Sequence, residues 1–287
     1  MPVAAVLGWP LRHTLSPTLH QAAYRAAGLR GWSYQARPTR PERLAAALAE
    51  VRAGALAGVN LTTPHKQAAV PLVDRLLPPA DRLGAVNTVV ARDGGLLGAN
   101  TDVPGARWAL GRQLGLDGPA WAGDGPAVLL GSGGAALAVA HAWAGLAADR
   151  AARGLATAPL TVAGRDPARA ALVAAHAGDG ARGLAWAAAA ALVAEATVVV
   201  QATTLTARGE AVPGQERLAA GVRLLDCNYG PAGQSLVAAA RAAGAAAAAD
   251  GLGMLCVQAA EAAAMIAGIR PDLAAMAAAV GLTLPGG

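Results

Sequence analysis

The chain has 287 residues, a net charge of +5 and 55% hydrophobic residues, a share raised by alanine. That length allows one large domain or two of ordinary size with real cores, and no stretch of about 18 strongly apolar residues reads as a membrane span. Charged residues make up only 14%, with the arginines scattered and the six Trp and three Tyr in no stacking motif, so no nucleic-acid partner is expected despite the basic balance.

Two cysteines, Cys227 and Cys256, suggest neither a disulfide framework nor a metal site, and a cytoplasmic location is expected. No basic segment precedes the apolar residues at the N-terminus, so no signal peptide is read there.

The first hundred residues alternate strand and helix. Residues 3–7 are a short apolar run, and 17–27 read as a helix with Ser16 as its N-cap and Pro17 in first position. Residues 32–37 suggest a strand, 41–53 a helix stopping before Gly54, 58–61 a strand and 66–76 a helix. Residues 86–91 and 96–99 flank Arg92-Asp93-Gly94-Gly95, a hairpin signal. Such spacing implies βαβ units and a mainly parallel sheet. Residues 102–114 read as a helix, and 115–126, rich in Gly, Pro and Trp, as a linker or boundary loop. Strands at 127–130, 160–163, 197–201 and 222–227 then alternate with helices at 135–147, 167–177 and 235–243. That pattern describes a second, doubly wound domain. The alanine-rich tail from Leu255 reads as two helices broken near 268–271.

Lys66 is the only lysine in the chain, Phe is absent, and Asn occurs only at 60, 87, 100 and 228. All have A/T-rich codons, so the composition reads as that of a GC-rich genome. A lysine that survives such drift is expected to do what arginine cannot, namely give up a proton.

The strand at 127–130 runs into Gly131-Ser132-Gly133-Gly134-Ala135-Ala136 and then a helix, a G-x-G-x-x-[GA] turn in a strand–turn–helix setting. Gly131 permits the tight turn, Gly133 lets a pyrophosphate approach the backbone, and Ala136 lets the helix pack close. At the end of the next strand stands Gly164-Arg165-Asp166 rather than an acidic ribose ligand. Arg165 and Arg169 can take a 2′-phosphate, which favours NADP over NAD, and Asp166 before Pro167 reads as a helix N-cap.

Four further segments carry polar residues: Thr14-Leu15-Ser16-Pro17, Asn60-Leu61-Thr62-Thr63-Pro64-His65-Lys66, Gly84-Ala85-Val86-Asn87-Thr88 and Gly98-Ala99-Asn100-Thr101-Asp102. Together with the glycine loop and Asp250-Gly251-Leu252-Gly253-Met254, in this order along almost the whole chain, they closely resemble the shikimate dehydrogenase family. Its patterns are S-x-S-P, N-V-T-x-P-x-K, G-A-V-N-T and G-x-N-T-D-x-x-G. The resemblance implies reversible, NADPH-linked reduction of 3-dehydroshikimate to shikimate, a step toward aromatic amino acids, with Lys66 and Asp102 as the catalytic pair. It further implies that Thr14 and Ser16 bind the substrate carboxylate, that Thr62, Asn87 and Gln258 bind ring hydroxyls, that Asn100 holds substrate near Asp102, and that Tyr229 contacts it from the nucleotide domain. Gly131, Ser132, Gly133, Gly134, Ala135, Arg165, Arg169, Thr203 and Gly251 are the implied cofactor contacts.

The expected fold is α/β. Residues 1–104, completed by 255–287, form a substrate-binding catalytic domain, and residues 105–254 a Rossmann-like NADP domain with a doubly wound parallel sheet. The partner is a cyclic polyhydroxy carboxylate, with a homodimer left open and no membrane or metal. The alternatives are a quinate or aminoshikimate dehydrogenase, or a non-catalytic sensor of the same ligands. The sequence departs from the family at Thr14 for the first Ser, at Gly164-Arg165-Asp166 for N-R-T, and at Gln201-Ala202-Thr203-Thr204-Leu205-Thr206 for N-A-T-S-x-G. It also departs at Asp226-Cys227-Asn228-Tyr229-Gly230-Pro231, where apolar residues are replaced.

Overall fold

The computed structural model describes residues 1–11, 14–230 and 234–285. The backbone divides into two compact units, residues 1–104 with the stretch from Leu255 on, and residues 105–254. In the first unit β1 (Val3–Gly8) is followed by α1 (Ser16–Ala26), β2 (Ser33–Pro38), α2 (Leu44–Arg52), β3 (Gly58–Leu61), α3 (His65–Ala68), β4 (Arg75–Leu76) and α4 (Ala80–Leu83). A hairpin of β5 (Thr88–Arg92) and β6 (Gly95–Ala99) then leads into α5 (Asp102–Trp108). The sheet order is β2-β1-β3-β5-β6-β4, with β5 antiparallel to both neighbours and the other pairs parallel. Asp93 and Gly94, both at positive φ (52° and 79°), make the tight turn that the Asp-Gly pair announces.

The second unit runs β7 (Ala127–Leu130), α6 (Gly134–Ala151), β8 (Leu160–Gly164), α7 (Pro167–Ala174), β9 (Arg182–Ala185), α8 (Ala189–Glu195), β10 (Val198–Gln201), β11 (Arg223–Asp226), α9 (Gln234–Ala242) and β12 (Ala247–Ala249). Its sheet order is β12-β11-β10-β7-β8-β9, parallel throughout. Counted within the unit this is the 3-2-1-4-5-6 order of dinucleotide-binding sheets, with its switch point between β7 and β10. Helices α10 (Leu252–Ala267) and α11 (Leu273–Ala279) return the chain to the first unit.

Both faces of the first sheet are covered, which explains why β1 reads as a continuous apolar run. Its side chains alternate: Ala4 and Val6 join a core with Leu19 and Tyr24 of α1, Ile266 of α10 and Met276 of α11. Ala5 and Leu7 join the opposite core with Leu44, Leu48 and Val51 of α2. Among the described residues no helix is long and apolar enough to cross a membrane, and no cluster of His, Cys, Asp and Glu could hold a metal.

Several elements differ from expectation. The helix foreseen at 66–76 is only α3, a 3-10 turn at Val70–Leu72 and the short β4. Pro71 explains the break, since it cannot donate to an α-helical ladder. The helix after Asp102 passes at Trp108 into a π-helical stretch, Ala109–Gln113. Ser16 begins α1 rather than capping it, and Leu15 is the N-cap residue. Strands β9 and β12 and helix α8, not foreseen, complete the second unit.

Residues 115–126 are no free linker. Arg150, near the end of α6 and fully buried, donates to the carbonyls of Leu116, Gly118 and Trp121 and, on its other side, of Ala156. The segment after α6 is pinned by the same guanidinium, which also reaches Thr157 Oγ1 at 3.2 Å.

Candidate active site

In the first unit the carboxyl ends of β1, β3 and β6 and the start of β5 share one edge of the sheet, because β5 alone runs against its neighbours. In α/β folds this edge gathers ligand contacts. Lys66 lies on α3 just past β3, and Asp102 opens α5 just past β6. Lys66 Nζ donates to Asp102 Oδ2 at 2.6 Å, the side chains being 21% and 11% exposed. Backbone contacts fix both residues. Val86 N–H donates to the Lys66 carbonyl at 2.8 Å. Asn100 accepts the Asp102 N–H on Oδ1 at 3.1 Å and donates through Nδ2 to the Ala85 carbonyl at 3.0 Å. Asn100 is thus a brace for Asp102.

Asn87 stands beside this pair, buried at the start of the hairpin. Its Oδ1 accepts from Thr101 N–H at 2.7 Å, and its Nδ2 donates to Thr101 Oγ1 at 3.0 Å and toward Gln258 Oε1 at 3.5 Å. Gln258, on α10, donates its own Nε2 to the Leu255 carbonyl at 3.1 Å. At the end of β1 an added Cβ on Gly8 would stand 2.4 Å from the Thr62 methyl, so glycine there leaves Thr62 its place. Thr14 Oγ1 accepts the Ser16 N–H at 3.2 Å and donates to Ser16 Oγ at 3.1 Å, setting two hydroxyls side by side. The first unit therefore brings together Lys66, Asp102, Asn87, Asn100 and Gln258 in one connected group, with Thr101 as a member the sequence reading missed. Its place directly after Asn100 was the available signal.

In the second unit Gly131 has φ of +116°, and a Cβ there would lie 3.0 Å from the Ala202 carbonyl group, so glycine is required at the turn. At Gly133 a Cβ would meet nothing within 4 Å: the backbone at the start of α6 faces open space. Ala136 is fully buried against the sheet. Asp166 caps α7 by accepting from Ala168 and Arg169 N–H, as its position before Pro167 suggests. Arg165 and Arg169 are exposed, and Arg169 Nε donates to the Ser132 carbonyl at 2.8 Å, tying the start of α7 to the glycine loop.

A family model for the shikimate dehydrogenase substrate binding domain matches residues 6–89. The shikimate dehydrogenase (NADP(+)) of Acidiphilium cryptum (strain JF-5) is 37% identical over 271 residues, which cover 94% of this chain and 91% of that one. The chain belongs to the shikimate dehydrogenase family. The shikimate dehydrogenase (NADP(+)) of Citrifermentans bemidjiense is 47% identical over 135 residues, and that match spans 47% of this chain and 44% of that protein, less than half the length of the relative. The shikimate 5-dehydrogenase of Thermus thermophilus, solved in complex with NADP(H) and shikimate, superposes with a TM-score of 0.77 at 36% identity over 97% of this chain and 98% of that one.

Two departures from the family pattern support one another. Gln201, at the end of β10, wraps its amide round Thr203, donating to its Oγ1 at 2.8 Å and accepting its N–H at 3.0 Å. Asn228, in the loop after β11, donates to the Thr203 carbonyl and to Thr206 Oγ1, both at 2.8 Å, and its carbonyl accepts the Gly251 N–H. The loops carrying Thr203, Tyr229 and Gly251 are thereby joined; Pro231 lies outside the described residues. Asp226 Oδ1 accepts from the Asn228 N–H and amide at 2.9 Å each. Burial pushes the Asp226 carboxyl up from the usual aspartate range, the Asp250 charge adds to this, and hydrogen bonds from Asn228 and Thr206 pull it back.

Proposed function

We propose that the chain is an NADP-dependent dehydrogenase interconverting 3-dehydroshikimate and shikimate. The observation that carries this reading is the Lys66 Nζ to Asp102 Oδ2 contact at 2.6 Å, set beside Asn87, Thr101 and Gln258. A pure binder has no need of a proton-transfer pair. The open backbone at Gly133 and the exposed Arg165 suit a dinucleotide phosphate. When bound, NADPH supplies the hydride that a ketone carbon must gain to become an alcohol.

The oxygen must gain a proton in the same event. Lys66 gives that proton to the oxygen and takes it back in the reverse direction, while Asp102 holds the ammonium in place. Thr14 and Ser16 clasp the ring carboxylate, Thr62, Asn87 and Gln258 meet its hydroxyls, and Tyr229 is a further substrate contact. N–H groups of Ser132, Gly133, Gly134 and Ala135 receive the pyrophosphate, while Gly131, whose own N–H donates to the Ala163 carbonyl at 2.8 Å, shapes the turn beneath it. Thr203 and Gly251 contact the rest of the cofactor, and Arg165 and Arg169 receive the 2′-phosphate.

The test follows NADP⁺ reduction with shikimate, quinate and aminoshikimate in parallel. Turnover of shikimate well above the other two is expected. Turnover of quinate or aminoshikimate alone would move the substrate assignment. No turnover of any, with NADPH still bound, would overturn the enzymatic reading.

The cofactor clamp makes a separate prediction. Arg165→Ala should raise the KM for NADP⁺ by about ten- to a hundredfold, the worth of one hydrogen bond to a charged group, and leave that for NAD⁺ nearly unchanged. Equal losses for both cofactors would show that Arg165 does not read the 2′-phosphate.

A further inference from the structure

Asn60 is buried in β3 and is one of four asparagines in the chain, yet it forms no part of the roles assigned above. Its hydrogen bonds have directions that can be worked out. Tyr34 Oη donates to Asn60 Oδ1 at 2.7 Å. The Tyr34 ring is buried and stacks on His20 with centroids 3.9 Å apart. Burial, with Tyr24 nearby, holds the Tyr34 phenol well above its usual range, and burial pushes the His20 imidazole down to about 3. Tyr34 therefore keeps its proton against a neutral neighbour and serves as a constant donor. With Oδ1 facing Tyr34, both hydrogens of the Asn60 amide face the hairpin, where Nδ2 reaches the Asn87 carbonyl at 3.1 Å and Thr88 Oγ1 at 2.9 Å.

Thr88 accepts from Asn60, so its single hydroxyl proton is free to go on to Asn87 Oδ1, 3.0 Å away. The Thr101 N–H, which can only donate, reaches the same Oδ1 at 2.7 Å. Two independent donors thus identify that atom as the oxygen and turn the Asn87 amide nitrogen toward Thr101 Oγ1 and Gln258 Oε1. Thr101 Oγ1 lies at 3.0 Å and takes one amide hydrogen, whereas Gln258 Oε1, at 3.5 Å, holds the other loosely. That second hydrogen is the one Asn87 can offer to a ligand.

We propose that Asn60 is a positioning residue for substrate recognition: through Thr88 and the Asn87 carbonyl it orients the Asn87 amide so that Asn87 presents a hydrogen-bond donor to an acceptor oxygen on the ring. The proposal rests on the dehydrogenase reading and adds to it the polarity of one substrate contact. The hydrogen-bond path runs Tyr34 to Asn60 to Thr88 to Asn87, entirely within the first unit.

The test is Asn60→Asp, which keeps shape but has no hydrogen to give when ionised and only one when protonated, so the Asn87 carbonyl and Thr88 cannot both be served. Its second oxygen competes for the Thr88 proton and draws it from Asn87. The KM for the ring acid should rise about tenfold, the worth of one hydrogen bond, while kcat and the KM for NADP⁺ stay within about threefold. A purely structural Asn60 would instead lower thermal stability and the active fraction, hence apparent kcat, and leave KM alone. If Asn60→Asp does not fold, Tyr34→Phe removes only the first donor, and a KM rise of about threefold at constant kcat is expected from the weakened chain. An unchanged KM in the folded variant, beside an active wild type, overturns the proposal. Failure of the dehydrogenase reading would appear earlier, as a wild-type protein that turns over no ring acid.

Discussion

Lys66→Ala is expected to lower kcat for shikimate oxidation by about a thousandfold, within the range that a positioned general acid or base contributes. The KM for NADP⁺ should be unchanged, because the residues assigned to the cofactor all lie in the other unit. The more discriminating variant is Lys66→Arg. Arginine keeps the positive charge and can still pair with Asp102, so a lysine that merely neutralises that carboxylate would be replaced with little loss. A guanidinium does not release its proton near neutral pH, and its planar fork places its donors differently from the Lys66 Nζ that now reaches Asp102 Oδ2 at 2.6 Å. Lys66→Arg should therefore be nearly as inactive as Lys66→Ala. Steady-state kinetics on both variants, with NADPH binding followed by nucleotide fluorescence, checks this. An arginine variant within tenfold of wild type would show that Lys66 supplies charge alone and that another group moves the proton.

The same residues show what sequence patterns carry and what they do not. The glycine turn at 131–136, the Asp93-Gly94 hairpin and the Asp166 cap are local, each set by a few neighbours, and each could be read from spacing. Strand β12 could not. Ala247–Ala249 carries the composition of a helix, but the segment pairs in parallel with β11, and pairing at a sheet edge overrides a weak propensity. Strand β9 is hidden for the same reason, since Arg182–Ala185 lacks the β-branched and aromatic residues that mark strands.

The active-site readings divide along the same line. Lys66 stood out because its residue type is unique in the chain, whereas the brace that Asn100 provides and the chain from Tyr34 to Asn87 join residues 15 to 53 positions apart. Such contacts depend on strand register, here Asn60 opposite Thr88, and no local pattern encodes it. Asn228 is a case of a different kind. Taken alone it is a loss of an apolar residue, and only its bonds to Thr203, Thr206 and Asp226 show that it holds loops together.

Arg150 was invisible among the other arginines, yet it should be the most sensitive position for stability. It is fully buried, and its Nε, Nη1 and Nη2 donate to four backbone carbonyls, those of Ala156, Leu116, Gly118 and Trp121, and to Thr157 Oγ1, with distances from 2.7 to 3.2 Å. Its guanidinium carbon lies 4.6 Å from the centre of the Trp121 ring. The charge is thus solvated by carbonyl dipoles from segments on both sides of α6 rather than by a carboxylate, and both segments depend on it. Arg150→Met keeps much of the volume and removes every donor. Leaving buried carbonyls without partners costs about 1–3 kcal/mol each, and partial rehydration offsets some of that, so a loss of about 3–5 kcal/mol is expected. For a unit of this size the loss corresponds to a fall in Tm of about 10 °C or more. Arg150→Lys retains charge but has three donors on a single atom, which cannot reach both segments, and should recover about half of the loss. Trp121 and Trp143, two of the six tryptophans, pack edge to face with centroids 5.8 Å apart, so thermal unfolding followed by tryptophan fluorescence includes a signal from this region. A Tm for Arg150→Met within about 2 °C of wild type would mean that water replaces the guanidinium at almost no cost and that the two segments hold their places without it.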